Sequence, residues 1–390
     1  MTETRFRKQE TGGAPSVNSA PIIAREAFRS RNKPSRSSSA PQTEEAIELG
    51  LAFLARHQRE DGSWTLHGIV ESESIDSSRV LSSDTAATGL AILAFQGAGY
   101  NHREFKYASQ LQAAINWLQD QQQTNGDLYV PSDQQSNNSC RFYSHGIASL
   151  ALAEAYGMTQ DEELRPAAQL ALDFIAETQH PELGGWRYVA GFQADTSVTG
   201  WMMMAMQSGR LAGLDVDEKT WLGMGRFLRY AQSQSQEHLY RYHPDNPTDT
   251  EQRRKGRQPS PCMTAVGLLM QLYMGWDRYD PRLTDGAEYL MQNLPSDTSI
   301  LTRDTYYWYY ATQIIRHIGG DDWKTWHGAL HPLLVDSQIK DGEMAGSWDP
   351  LNPVPDRWGA QAGRLYVTAM NLLSLEVDYR LLPLYDDTVE

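Results

Sequence analysis

The chain has 390 residues, of which 40% are hydrophobic and 21% are charged, and its formal net charge of −15 argues against nucleic-acid binding, which needs a positive surface. Its two cysteines, Cys140 and Cys262, are too few for a disulfide framework and favour a reducing compartment. Because we find neither a secretory leader nor an apolar run of about 18 residues, we expect a cytoplasmic protein without a membrane span.

Residues 1–42 differ in composition from the rest of the chain. They are rich in Ser, Pro, Arg and Ala, and they contain eight Lys or Arg residues against three Asp or Glu residues. Such a segment cannot bury enough apolar surface to order itself, so we predict a disordered basic tail. The tail could be an inert linker, or it could touch anionic lipid at a membrane surface or an acidic partner.

From residue 43 onward, two kinds of helical segment alternate along the chain. The first kind is amphipathic, with apolar residues at i, i+3, i+4 and i+7, as in TEEAIELGLAFLARHQ. The second kind is apolar on nearly every side, as in DTAATGLAILAFQGAG, and is expected to lie inside. Copies of the second kind align, at spacings of 44 to 67 positions, on Gly89, Gly146, Gly200, Gly267, Ala311 and Ala369. The pattern predicts an all-α fold for residues 43–390, an (α/α)6 toroid of six inner and six outer helices.

The first amphipathic segment runs into its loop as GLAFLARHQREDGSW, from Gly50 to Trp64. Looser copies of this pattern contain Gln122, Gln179 with Trp186, and Gln338 with Trp348. The pattern resembles the glutamine–tryptophan repeat of the squalene cyclase and protein prenyltransferase β-subunit superfamily, over about residues 43–385, and this resemblance implies the same toroid. We interpret Gln58 and Trp64 as structural, because a Gln amide at the end of an outer helix can bond the free carbonyl groups there.

The segment QEHLYRYHPDNPTDTEQRRKGRQPSP occupies residues 236–261 and separates two of the helical segments. It is polar and interrupted by prolines, so we predict an exposed loop. Its RRKGR run is interpreted as solvated, with a binding patch as the alternative.

Three of the apolar segments begin with Asp-Thr, at Asp84, Asp195 and Asp304. In a ring of helix hairpins the inner helices all point the same way, so these carboxylates are expected around one mouth of the central cavity. Asp before an apolar run is a preferred helix N-cap. Alternatively, three acids around an apolar funnel share a proton or stabilise a cation, which makes them the candidate catalytic residues.

The resemblance also implies a test for alkene-protonating chemistry. Squalene cyclases use the middle Asp of an Asp-x-Asp-Asp-Thr motif, and that position is occupied here by Ala194 in one repeat and Ser83 in another. A lone capping carboxylate is ionised near neutral pH. Cyclisation started by alkene protonation is therefore disfavoured.

The zinc site of the prenyltransferases is a second test. Those enzymes use an Asp-x-Cys and a His, whereas here Asp304 is followed by Tyr306 at the Cys position and Val367 lies near the His position. One protein ligand cannot hold zinc, so we expect no metal and no other cofactor. His327 and His331 lack a third ligand in the sequence, and we interpret them as part of a solvated helix face.

Aromatic residues crowd the first turns of the apolar segments, most densely in TYYWYYATQ. The candidate ligand-binding residues are Tyr143, His145, Trp201, Tyr306, Tyr307, Trp308, Tyr310 and Tyr366. Aromatic faces stabilise cations and stack on apolar ligands, although helix packing alone also uses them. Two functions stay open: a cyclase- or prenyltransferase-like toroid that binds an isoprenoid or other small apolar ligand, and a non-catalytic scaffold for a peptide or protein partner.

Overall fold

The computed structural model describes residues 41–69, 80–244 and 258–380. The predicted tail, apart from its last two residues, and the RRKGR run lie outside the described residues. Where the chain is described, β structure is limited to two isolated bridges, Gln232–Tyr240 and Arg241–Pro259. None of the helices in these ranges is long and apolar enough to cross a membrane.

Two concentric layers of helices alternate along the chain. The outer helices are α1 (Pro41–Arg56), α3 (Ala108–Gln121), α6 (Arg165–Glu177), α8 (Glu218–Ala231), α10 (Pro281–Met291) and α12 (Gly320–Ser337). The inner helices are α2 (Asp84–Gly97), α5 (Arg141–Thr159), α7 (Thr196–Ala212), α9 (Pro261–Tyr273), α11 (Thr305–Ile318) and α13 (Gly359–Leu375). Two short helices are α4 (Gln134–Ser139) and α14 (Val377–Arg380).

The inner layer of helices closes on itself. Each inner helix packs on the next one along the chain, and α13 packs back on α2. In the outer layer, α12 packs on α1. The described residues therefore form the predicted (α/α)6 toroid, with the inner helices as its buried core.

Glycines at the aligned positions let consecutive inner helices pack closely. A Cβ atom added at Gly89 of α2 would lie 2.9 Å from Cγ2 of Ile147 on α5. One added at Gly200 of α7 would lie 2.5 Å from Cγ1 of Val266 on α9. At Gly89, Gly146 and Gly200 the recurring glycine thus marks a contact between one inner helix and its neighbour, whereas Gly267 faces Tyr240 of an inter-helix segment.

Glutamines that follow α1, α3, α6 and α12 join each of these four outer helices to the next one. Gln58 Nε2 donates hydrogen bonds to the carbonyl oxygens of Gly62, in the following loop, and Gln110, in α3, both over 2.8 Å. The same pair of acceptors, a loop glycine and a residue of the next outer helix, recurs for Gln122, Gln179 and Gln338. Gln338 reaches the Ala46 carbonyl oxygen over 2.8 Å and so ties the last outer helix to the first.

The tryptophans that follow three of these glutamines, Trp64, Trp186 and Trp348, are buried between an outer helix and an inner helix. Trp64 Nε1 donates to the Leu54 carbonyl oxygen over 2.8 Å, and its backbone N–H donates to Thr88 Oγ1 on α2 over 3.0 Å. Equivalent indole bonds to an outer-helix carbonyl group are made by Trp186 and Trp348. These bonds give Gln58 and Trp64 a structural role in holding the layers together.

The segment predicted to be an exposed loop contains three buried residues near its start, Leu239, Tyr240 and Arg241. Tyr240 is fully buried, its hydroxyl group accepts a hydrogen bond from Gln271 over 2.9 Å, and its backbone N–H donates to Thr264 Oγ1 over 3.1 Å. The Thr196 N–H donates to the Tyr242 carbonyl oxygen over 3.0 Å. The prediction is therefore wrong for these residues, because their aromatic side chains and backbone pack on α7 and α9.

Candidate functional site

A cavity of about 810 Å³ lies at the end of the ring where the inner helices begin. Five of its lining residues are the N-caps of inner helices: Ser83, Cys140, Ser260, Asp304 and Trp358. Among the described lining residues, the charged ones are Asp304 and Arg357. Most of the remaining wall is aromatic, aliphatic or hydroxyl-bearing, so the cavity offers apolar contact with a few polar groups.

Five of the aromatic residues predicted to bind a ligand line this cavity: Tyr143, Trp201, Tyr306, Tyr307 and Tyr366. Trp201 stacks on Tyr309 at an interplanar angle of 13°. The Tyr306 hydroxyl group donates to the Ser197 carbonyl oxygen over 3.4 Å, which joins the start of α11 to the start of α7. The cavity is therefore walled by aromatic rings that are themselves held in place by their neighbours.

His145 does not line the cavity, contrary to its assignment as a ligand-binding residue. Its Nδ1 accepts a hydrogen bond from the Leu128 backbone N–H over 3.2 Å, so its Nε2 carries the hydrogen and donates to the Ala171 carbonyl oxygen over 3.1 Å. In the first helix pair, Thr88 occupies the equivalent position, and its Oγ1 accepts a hydrogen bond from the Trp64 backbone N–H. Burial lowers the pKa of His145 to about 4, so it is a neutral structural residue.

Trp308 and Tyr310 also lie outside the cavity lining. Both side chains are almost completely buried among the inner helices. Tyr310 packs edge-on against Trp201, with their ring centroids 6.1 Å apart. Tyr310 therefore supports the aromatic wall from behind, and neither residue reaches the cavity.

Asp84 is placed outside the cavity, contrary to expectation. Ser83, one residue earlier, caps α2 by accepting a hydrogen bond from the Ala86 N–H at 3.1 Å. Asp84 instead forms an ion pair with Arg59, which lies in the loop after α1. Arg59 Nη2 is 2.6 Å from Asp84 Oδ1. Ser and Asp are equally good N-caps, so the choice between these neighbours depends on where the helix begins.

Asp195 caps α7 as predicted, but it also contacts groups beyond the helix. Its Oδ1 accepts from the Val198 N–H over 2.9 Å and from Ser197 Oγ over 3.0 Å. Its Oδ2 accepts from the Tyr242 hydroxyl group over 3.1 Å and lies 3.5 Å from Arg187 Nε. The carboxylate is fully buried and does not line the cavity itself. Burial raises its pKa from its ordinary value of 3.8 to about 6.

Hydrogen bonds connect Asp195 to the cavity on both sides. Tyr242 is bonded to Tyr188, with their hydroxyl oxygens 2.5 Å apart. Ser197 is bonded to the Tyr143 hydroxyl group, also over 2.5 Å. All four of these partners line the cavity. Sequence reasoning missed Tyr188 and Tyr242 because both lie in segments between helices, where no periodic pattern indicates which side chains turn inward.

Asp304 is the predicted acid that does line the cavity. Its Oδ1 caps α11 by accepting from the Tyr307 N–H over 3.0 Å, and its Oδ2 lies 3.7 Å from Arg357 Nε. Burial, reinforced by the neighbouring Asp356, raises its pKa to about 6. Asp356 uses both carboxylate oxygens as caps, for the N–H groups of Thr305 and Trp358.

The residues present do not fit a prenyltransferase-type zinc site. Tyr306 hydrogen-bonds to backbone, and Val367 is fully buried. Across the described ranges, no group of three or more His, Cys, Asp or Glu side chains is placed to hold a metal ion. The rings of His327 and His331 stack at 3.6 Å, and His331 is 3% exposed with its pKa lowered by burial to about 3, so the predicted solvated face is wrong for His331.

The fold is similar to that of solved enzymes with different activities. An inactive variant of the α-1,6-mannanase GH76A of Salegentibacter sp. HEL1_6, in complex with α-1,6-mannotetrose, matches with a TM-score of 0.60 and 10% identity over 87% of this chain and 99% of that chain. An α-amylase from Clostridium perfringens matches with a TM-score of 0.58 and 12% identity over 86% and 97%. A variant of the type II terpene cyclase MstE from Scytonema, in complex with its product merosterolic acid A, matches with a TM-score of 0.54 and 15% identity over 87% and 98%.

No protein-family model matches the chain, and no curated protein sequence matches it either. At 10–15% identity, the structural matches show a shared fold. The chain therefore has the terpenoid cyclase-like α/α toroid that the glutamine–tryptophan pattern implied, and it shares this fold with glycosidases as well.

Proposed function

We propose that the protein binds an isoprenoid or a similar small apolar ligand in the cavity at the start of the inner helices. The observation that carries this proposal is the cavity itself, about 810 Å³ in volume and walled mainly by aromatic and aliphatic side chains. Ligand sites are typically concave and mostly apolar, with volumes of about 300–1,000 Å³ and a few placed polar groups. The Tyr and Trp faces add stacking contact and stabilise any cationic character in the ligand.

The composition of the wall favours an apolar ligand over a glycan substrate. Glycoside hydrolysis generally uses two carboxyl groups about 5–9.5 Å apart on either side of the scissile bond. Among the described lining residues, only Asp304 carries a carboxyl group. The nearby Asp356 is 1% exposed, and both of its oxygens cap backbone N–H groups. The mannanase and the amylase therefore support the fold but not a shared reaction.

The terpene cyclase match supports the proposal in a limited way. That protein has the same fold, and its structure contains the product merosterolic acid A. The present chain has Ala194 and Ser83 where the squalene cyclase motif has its protonating acid. Ligand binding in the aromatic cavity is accordingly proposed without alkene protonation.

We also propose that the protein works in the cytoplasm. Both cysteines are free thiols, Cys140 buried and Cys262 partly buried. Burial raises the pKa of Cys140 to about 12, so this thiol is protonated and unreactive. Two unpaired thiols in a chain of this size suit a reducing compartment.

A binding experiment with a blocked cavity tests the proposal. The full chain is titrated with farnesene while tryptophan fluorescence and the melting temperature are followed. Saturable binding should raise the melting temperature, because a ligand that binds only the folded state stabilises it. Ala86→Trp places a bulky side chain in the cavity lining and should abolish binding, whereas Ala190→Trp, at an exposed loop residue outside the lining, should not.

Two results would overturn the proposal. One is the absence of saturable binding to the unaltered chain. The other is equal binding by the Ala86→Trp and Ala190→Trp variants, with both variants folded. The scaffold alternative predicts the first of these results, because a peptide or protein partner does not need the aromatic cavity.

A further inference from the structure

Asp195 sets the direction of the hydrogen bonds that reach the cavity. An ionised carboxylate only accepts hydrogen bonds, so its neighbours must donate to it. Tyr242 donates its hydroxyl hydrogen to Oδ2 over 3.1 Å, and Ser197 donates its own to Oδ1 over 3.0 Å. Burial raises the pKa of Tyr143 and Tyr188, so both phenols keep their protons near neutral pH.

The two tyrosines at the cavity then have no hydrogen left to offer a ligand. Because Tyr242 has already donated to Asp195, the 2.5 Å bond between Tyr188 and Tyr242 must be donated by Tyr188. For the same reason, the 2.5 Å bond between Tyr143 and Ser197 must be donated by Tyr143. Both phenol oxygens belong to the cavity wall and retain lone pairs. This part of the wall is an acceptor surface.

We infer that the ligand carries a hydroxyl group, which donates a hydrogen bond to the phenol oxygen of Tyr188 or of Tyr143. This inference rests on the proposed function and narrows it from apolar ligands in general to isoprenoid alcohols or similar hydroxylated molecules. A hydrocarbon would cover these oxygens without pairing them, and an ether would bring a second acceptor against them. Leaving a buried polar group unpaired costs binding free energy. A site built around hydrogen bonds therefore discriminates strongly against ligands that lack the matching group.

The groups around Asp195 make this preference depend on pH. Arg187 Nε lies 3.5 Å from the carboxylate, and the Tyr242 hydroxyl group bonds to it directly. Tyr188 reaches it through Tyr242, and Tyr143 reaches it through Ser197. The His243 ring packs on Tyr242 with centroids 4.6 Å apart. Once Asp195 is protonated, with its pKa near 6, it donates to Tyr242, and the Tyr188 hydrogen is released toward the cavity. Acidification should therefore favour ligands that only accept.

Three matched probes test the inference: farnesol, farnesyl methyl ether and farnesene. They share one hydrocarbon chain and differ in whether they donate, only accept, or do neither. At about pH 8, farnesol should bind the full chain about tenfold more tightly than either of the others, which corresponds to one ordinary hydrogen bond. At about pH 5, the gap between farnesol and the ether should narrow several-fold, because Asp195 is then protonated.

Variants separate this inference from the proposed function. In the double variant Tyr143→Phe with Tyr188→Phe, the farnesol-to-farnesene affinity ratio should fall to about one. Tyr279→Phe is the control, because Tyr279 is exposed and lies outside the cavity. In this variant the farnesol-to-farnesene affinity ratio should equal that of the unaltered chain. Residual farnesene binding shows that the double variant is folded with its cavity intact.

Each outcome has a definite meaning. Equal affinity of the unaltered chain for farnesol and farnesene would overturn the hydroxyl inference and leave the apolar-ligand proposal standing. A ratio that survives in the double variant would also overturn it, because the hydroxyl group would then be recognised elsewhere. Failure of all three probes to bind would overturn both proposals.

Discussion

The hydroxyl group of Tyr242 donates a hydrogen bond to Oδ2 of Asp195 over 3.1 Å, while Oδ1 of the same carboxylate caps α7 at the Val198 N–H. One buried side chain therefore both starts an inner helix and fixes part of the cavity wall. Helix capping and a catalytic role were alternatives in the sequence. In the structure the carboxylate caps the helix and also accepts hydrogen bonds from two residues of the cavity wall, Ser197 and Tyr242.

The first prediction concerns Asp195→Asn. An Asn side chain also caps helices, so the fold should survive. The folded pKa of about 6 lies above the ordinary 3.8, so the wild-type chain loses stability as the pH rises from about 4 to 7. The variant lacks this ionisation, so its free energy of unfolding should not fall in the same way. Relative to wild type, it should rise by roughly 1–3 kcal/mol over that pH range. Urea denaturation at several pH values measures the difference, and parallel stability curves would contradict the raised pKa.

The second prediction concerns His145→Thr, which installs the residue type found at Thr88 in the first repeat. The folded pKa of about 4 lies below the ordinary 6.5, so wild-type stability is lost as the pH falls below about 6.5. Between about pH 6.5 and 4, the free energy of unfolding of the variant should fall by roughly 2–3 kcal/mol less than that of wild type. At neutral pH it should be less stable by about 1–3 kcal/mol, because the smaller side chain leaves a void.

Denaturation curves at the two pH values test the histidine directly. An equal loss of stability on acidification in both proteins would show that His145 takes up its proton over the same pH range in the folded and unfolded states, so that burial does not lower its pKa. That result would contradict its role as a neutral acceptor for the Leu128 N–H.

A third prediction compares two glycines that differ in their surroundings. Gly200→Ala should destabilise the fold by about 1–3 kcal/mol, because the added Cβ would lie 2.5 Å from Cγ1 of Val266. Gly328→Ala should instead stabilise it by about 0.5–1 kcal/mol, because Gly328 lies inside α12 with nothing within 4 Å of the added atom. Thermal melting ranks both variants against wild type. Equal effects of the same sign would mean that α7 and α9 do not touch at Gly200.

The fourth prediction concerns closure of the ring by Gln338, which is 3% exposed and bonds to Ala46 on the first outer helix and to Gly346. Gln338→Ala should cost about 2–3 kcal/mol, because two carbonyl groups lose their partner. As a control, Gln112→Ala removes a surface bond to Asn116 on α3 and should change stability by less than about 0.5 kcal/mol. Similar costs for both would argue against a structural staple at the joint between α12 and α1.

The layered fold could be predicted from the sequence because it depends on period. Amphipathic and wholly apolar segments alternate, and a helix without a polar face must be enclosed by others. A structural role for Gln58 could be anticipated too, since the free carbonyl groups at a helix end need donors. Its actual acceptors, Gly62 in the following loop and Gln110 in the next outer helix, could not, because they depend on how neighbouring helices pack.

The site depended more on interactions that no local pattern records. Asp84 and Ser83 are adjacent capping residues, and only the start of α2 decides which one faces the cavity. His145 resembles a ligand-binding residue in sequence, yet its imidazole replaces a threonine as a backbone acceptor. Tyr188 and Tyr242 come from separate inter-helix segments and meet only in the folded ring.

A crystal structure of the protein crystallised with farnesol most directly tests whether a hydroxylated apolar ligand binds in the aromatic cavity. We expect continuous ligand density in the cavity beside Trp201, with the hydroxyl group within hydrogen-bonding distance of Tyr188 or Tyr143. A cavity filled only by water or by rearranged side chains at saturating farnesol would contradict it.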